Sequence, residues 1–125
     1  MKLVCLASEL GIVRLGPADS VPQWAQRGCF QSVTRTTEEL SIVCDSHDIP
    51  AEVAAERDWS CLCVAGRLDF ALTGVLASLA EPLAKAGISI FVVSTYDTDY
   101  VLVRTRALAD AVAALRNAGH DVSTA

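Results

Sequence analysis

Residues 86–103 read AGISIFVVSTYDTDYVLV, and this stretch decides the fold. Residues 88–94 form an almost unbroken apolar run rich in β-branched side chains, the mark of a strand covered by other elements. Residues 99–104 form a second such run. Between them lies the polar tip Thr95, Tyr96, Asp97, Thr98, whose turn-forming side chains predict a hairpin.

Working outward, the period of the pattern changes in a regular order. Residues 59–65 read as a strand and 67–73 as a loop. Residues 74–86 place Leu76, Leu79, Ala80 and Leu83 at helical spacing, and Gly87 stands where a helix stop belongs. Pro82 falls inside that helix, where it removes a backbone bond and costs about 3 kcal/mol in an unadapted interior, so a kink is expected. On the other side, residues 106–117 carry Leu108, Val112 and Leu115 on one stripe, Gly119 ends the helix, and residues 120–123 can pair as a last strand. The order β, α, β, β, α, β is that of an α+β, ferredoxin-like unit with both helices on one face of an antiparallel sheet.

The first half is strand-like. Residues 2–7 and 11–15 are β-prone runs separated by Ser8, Glu9 and Leu10, which predicts a tight hairpin. Residues 16–20 are a loop by turn chemistry. Residues 22–26 suit one helical turn capped by Ser20 or Asp19. Two further strands are expected at 30–35 and 40–44, joined by the polar residues 36–39. Residues 45–58 are polar and irregular, with 51–57 a candidate short helix, and form the expected junction. The expected division is 1–58, a small β-rich unit, and 59–125.

The residues of 86–103, preceded by LDFALTGVLASLAEPL at 68–83, resemble bacterial ACT-domain proteins related to the CASTOR arginine sensors and to aspartate kinase regulatory domains. The most specific part of the likeness is the Ser-Thr-Tyr-Asp-Thr-Asp-Tyr stretch at 94–100, and Pro82 matches the family's Pro-Leu-Ala element. The resemblance implies a tandem ACT arrangement, with a smaller ACT-like unit ahead of the clear one. It also implies a regulatory or sensory role, a homodimer formed through ACT units, no catalysis and no cofactor.

In ACT domains of this kind an amino acid binds at the loop leading into the first helix. The chemistry of these residues suits that role. A helix N-terminus presents amide hydrogens and a partial positive charge that favour a carboxylate. Leu72, Thr73, Gly74 and Val75 form that terminus, and Gly74 lets a ligand approach the backbone. Thr73 can cap the helix or donate to the ligand. Asp69 is the nearest acceptor for an ammonium group, or a solvated loop acid. Ser94 and Thr95, ending the central strand, add polar groups. Asp97 and Asp99 either contact the ligand or bond the turn backbone, and Tyr96 and Tyr100 are expected to cover the edge of the core.

Composition narrows the alternatives. Apolar residues make up 52% of the 125-residue chain, enough for a real core. The net charge is −5 and the ten basic residues are scattered, which argues against nucleic-acid or anionic-membrane partners. No apolar run approaches the ~20 residues of a bilayer span, and the start MKLVCLASEL reads as a strand, so a cytoplasmic protein is expected. The five cysteines are odd in number and lack CxxC spacing, which favours buried free thiols over a metal or redox site. Catalysis has two weak footholds: paired Asp97 and Asp99 without a nucleophile, and Cys44 with His47, which would need proximity in space.

Overall fold

A computed structural model describes residues 1–69 and 71–124. Eight strands and two α-helices follow one another: β1 (Lys2–Cys5), β2 (Leu10–Leu15), β3 (Gln31–Arg35), β4 (Leu40–Asp45), β5 (Glu56–Val64), α1 (Val75–Lys85), β6 (Ile90–Ser94), β7 (Asp99–Arg104), α2 (Leu108–Asn117) and β8 (Asp121–Thr124). Single 3₁₀ turns occupy Gln23–Gln26, Ser46–Asp48 and Thr105–Ala107. The chain divides into two compact units, one of Met1–Ala7 with Ser60–Ala125 and the other Ser8–Trp59.

In the larger unit, β6 and β7 form the expected hairpin, with Ile90 opposite Val103 and Ser94 opposite Asp99. The tip closes with the Thr95 amide donating to the Thr98 carbonyl at 2.9 Å. The chain's first strand joins this unit. β1 pairs antiparallel with β5 and parallel with β8, so it separates two strands that a four-stranded plan would place side by side. The expected hairpin between 2–7 and 11–15 therefore does not exist, because β2 pairs with β4 instead. The expected division at 58/59 likewise placed Met1–Ala7 in the N-terminal unit, whereas the apolar face of β1 is buried with the C-terminal elements.

That face is legible from side-chain alternation. Leu3 and Cys5, Leu62 and Val64, Val101 and Val103, and Val122 bury one face of the sheet against Leu79 and Leu83 of α1 and Ala111 and Leu115 of α2. Both helices end alike. After α1, Gly87 has φ +74, its amide donates to Ala84 and the Ile88 amide to Leu83, each at 3.0 Å. After α2, Gly119 has φ +95 and the Gly119 and His120 amides reach Arg116 and Leu115 at 3.0 Å. These are Schellman closures, which need a residue without a Cβ at the left-handed position.

Pro82 lies within a helix assigned without a break. The carbonyl it leaves without a helical donor is that of Ser78, and His120 Nε2 stands 3.0 Å from it. A carbonyl only accepts, so Nε2 carries the hydrogen, and His120 Nδ1 accepts from the Met1 amino group at 2.9 Å. The tertiary structure thus supplies the donor that the sequence withholds. The expected outcome is a coupled pair. His120→Ala should cost about 1 kcal/mol in the native background. It should cost measurably less beside Pro82→Ala, where a backbone amide is restored. Urea unfolding of the four proteins checks this, and equal costs in both backgrounds would refute it.

The smaller unit is a sheet in the order β3, β4, β2, then residues 56–59 of β5. β3 and β4 pair antiparallel as the sequence predicts. Its core gathers Val13, Ala25, Leu40, Ile42, Cys44 and Ile49. The single turn at Gln23–Gln26 is present, but neither Ser20 nor Asp19 caps it: Pro22 holds the cap position, and the Asp19 carboxylate accepts from the Gly16 amide at 2.8 Å. The candidate helix at 51–57 is absent. That segment instead turns back at Pro50–Val53, and β5 begins at Glu56.

Candidate ligand-binding cleft

The loop after β5 and the β6–β7 hairpin tip are tied together by two buried or backbone bonds. The Leu68 amide donates to the Asp97 carbonyl at 2.7 Å. Thr98, only 7% exposed, donates its hydroxyl to the Val64 carbonyl at 2.8 Å. Between these walls lies a cleft of about 230 Å³. Leu68, Asp69, Leu72 and Val75 line one side and residues 94–99 the other. A second cavity of about 360 Å³ shares Leu68, Asp69 and Tyr96 and adds Arg67.

Five of the residues singled out in the sequence, Asp69, Leu72, Val75, Ser94 and Thr95, thus meet at one cleft. Thr73 and Gly74 lie in the same turn and are not among the residues that line the cleft. Gly74 rather than Thr73 is the N-cap of α1. Its φ of +77 is a conformation that a Cβ would strain, and no side chain caps the helix among the described residues. Among the described residues, the Ser78 amide is the first of α1 to find a carbonyl, that of Gly74 at 2.9 Å. The amides of the first turn therefore keep their capacity to bind an anion.

The polar side chains are largely engaged in shaping the walls. Asp69 accepts from the Ala71 amide at 2.8 Å, an Asx turn. Ser94 donates to Asp99 at 2.6 Å, and Thr95 exchanges bonds with Thr98 at 3.2 and 3.3 Å. A carboxylate has about four acceptor sites, so each aspartate can still accept from a bound ammonium. Asp97 pairs with Arg67 at 3.2 Å.

Arg67, Tyr96 and Thr98 were not foreseen as cleft residues. Tyr96 does not cover the core: it is 67% exposed at the hairpin tip. No local pattern could have linked Arg67 to Asp97, because the two are brought together only by strand pairing. Tyr100 is half-buried and hydrogen-bonds Cys63.

The alternative catalytic pair finds no support in the geometry. Cys44 is 1% exposed in the smaller unit's core, and its thiol is pushed up to about 11, first by burial and then by Asp48 and Asp45. Beside it the His47 amide donates to the Asp45 carboxylate at 3.0 Å. A thiol held protonated at neutral pH is a poor nucleophile. Cys61 and Cys63 do share a sheet face, and Cys61 is pushed up to about 12, chiefly by burial.

Comparison with known proteins agrees with this architecture. The family model described as ACT domain matches residues 54–117, and a second model, of an N-terminal domain, matches residues 8–52. A solved structure, protein Atu0741 from Agobacterium tumefaciens, is 44% identical and superposes with a TM-score of 0.92 over 99% of this chain and 92% of that one. The regulatory subunit of aspartate kinase from Thermus thermophilus shares the fold at a TM-score of 0.60 and 14% identity, over 90% of this chain and 93% of that one. Human cytosolic arginine sensor for mTORC1 subunit 1 is 32% identical over 90 residues, 63% of this chain and 27% of that protein. The chain spans little more than half the length, or less, of the curated relatives it matches. With two helices on one face of the sheet, a β-rich unit formed by Ser8–Trp59 and a family model covering half its length, the chain belongs to the ACT-domain family.

Proposed function

We propose that this chain is a regulatory or sensor protein that binds a small molecule, an amino acid, in the cleft between residues 68–75 and 94–99, and that it performs no catalysis. One observation carries the reading: an uncapped helix start able to take a carboxylate adjoins a cleft bordered by aspartates able to take an ammonium. The volume suits a ligand of amino-acid size, smaller than the ~300 Å³ and upward of drug-like sites. The relatives named for arginine sensing and for aspartate kinase regulation support the same reading. A cytoplasmic setting is part of it, consistent with five free thiols and no helix long and apolar enough to cross a membrane among the described residues.

The test is a thermal-shift screen of the twenty amino acids. A ligand at tenfold its Kd adds about 1.4 kcal/mol to the folded state, a rise of roughly 5 °C for a chain of this size. Gly74→Ala, which distorts the helix start, should abolish that rise. A screen with no rise for any amino acid would reject the reading.

A second reading rests on a specific feature. Leu72 and Tyr96, at 53% and 67% exposure, leave an apolar rim on the cleft. Such a rim suits burial in a homodimer or against another partner. A chain that dimerises and binds no amino acid would be an interaction module of the same fold.

A further inference from the structure

The residues that line the two cavities make a contact that the proposed sensing role does not use. Arg67 Nε lies 3.2 Å from an Asp97 carboxylate oxygen, and its guanidinium carbon sits 5.2 Å from the centroid of the Tyr96 ring. An aromatic face beside a carboxylate is a seat for a cation, attracted by the ring's quadrupole and by the full negative charge. A side chain of the same protein fills that seat.

The seat is held weakly. The Arg67 and Asp97 side chains are 69% and 65% exposed, and an ion pair so open to water gains little over its solvated parts. It is also placed to matter, since Tyr96 and Asp97 line the cleft directly. Charge decides what can compete for it. The lining carries Asp69, Asp97 and Asp99 against one guanidinium, so an ammonium is drawn in. An anion reaching Arg67 would lie beside uncompensated carboxylates.

We propose that Arg67 is a built-in competitor of the ligand, occupying in the unliganded protein the Tyr96–Asp97 seat that the ligand's ammonium group takes on binding. This rests on the amino-acid reading and deepens it by assigning the ammonium to Asp97 rather than Asp69. Ligand entry then exchanges one cation for another at the hairpin tip and frees Arg67 from it. Apparent affinity is reduced by the fraction of molecules in which Arg67 holds the seat.

Isothermal titration at low salt tests this, with the amino acid giving the largest thermal shift as the probe and its N-acetyl derivative as the control lacking an ammonium. Arg67→Gln should bind the amino acid about two- to fivefold tighter, the range expected for removing an exposed pair. Asp97→Asn should bind it about tenfold more weakly, having lost a charged acceptor. The N-acetyl derivative should gain nothing from Arg67→Gln. Unchanged or weaker binding by Arg67→Gln, no loss in Asp97→Asn, or an equal gain for the N-acetyl derivative overturns the proposal. If an amino acid binds the native protein and one of these results follows, only the competitor role falls. If no amino acid binds at all, the sensing reading falls with it.

Discussion

A fragment of residues 59–125 is expected to remain unfolded, although it contains every element of the βαββαβ order. The missing piece is β1. Leu3 and Cys5, 0% and 6% exposed, lie in the same apolar cluster as Leu62, Val64 and Val122. Without them β5 and β8 lose the strand that joins them, and those side chains face water. Truncating one buried leucine to alanine costs about 2–5 kcal/mol, and a domain of this size has only about 5–15 kcal/mol in total. Loss of two core side chains and two strand pairings therefore exceeds what remains. The same register offers a rescue. Cys5 lies opposite Leu62 and the Leu6 amide donates to the Cys61 carbonyl at 2.8 Å, so Ala7 and Ser60 come close together. Joining residues 1–7 to 60–125 through an Asn-Gly turn should give a folded unit. Circular dichroism melting and amide chemical-shift dispersion distinguish the two proteins. A cooperative transition in 59–125 alone would show that β1 is dispensable.

Arg57→Ala should destabilise the smaller unit by about 2–4 kcal/mol, on the scale of truncating a core side chain. The Arg57 guanidinium donates to three carbonyls of one turn: Ile49 at 3.3 Å, Pro50 at 2.8 Å and Val53 at 2.9 Å. Hydrogen bonds from a charged donor contribute about 1.5–3 kcal/mol each where they are shielded. Arg57 is only half-buried, which lowers the total. Arg57→Lys keeps the charge but loses the planar fork, so it should fall between the alanine variant and the native protein. Urea unfolding measures the stability, and limited proteolysis should show faster cleavage within residues 46–55. A change below about 0.5 kcal/mol, the size expected of an ordinary surface substitution, would remove Arg57 from this role.

Arg57 also explains why residues 51–57 misled the sequence reading. Ala51, Glu52, Val53, Ala54 and Ala55 are compatible with a helix, but their propensities are worth tenths of a kcal/mol each. A side chain that bonds the turn carbonyls of Ile49, Pro50 and Val53, together with a strand starting at Glu56, outweighs them. The candidate site shows a similar split. The turn at 69–75 and the end of β6 could be named in advance because each carries its own signal: glycine before a helical period, hydroxyls ending an apolar run. Arg67 carried none, and its partner Asp97 lies thirty positions away.

The sequence by itself determined the alternation of strand and helix from residue 59 onward, both helix stops, and the hairpin at 95–98. Each depends on side chains within a few positions of one another, where period and backbone freedom act directly. Only the tertiary structure decided that the first strand lies between β5 and β8, that His120 serves the carbonyl left by Pro82, and that Arg67 fills the seat on Asp97. Those contacts join residues distant along the chain, and burial of a shared apolar face selects among pairings that local chemistry leaves equal.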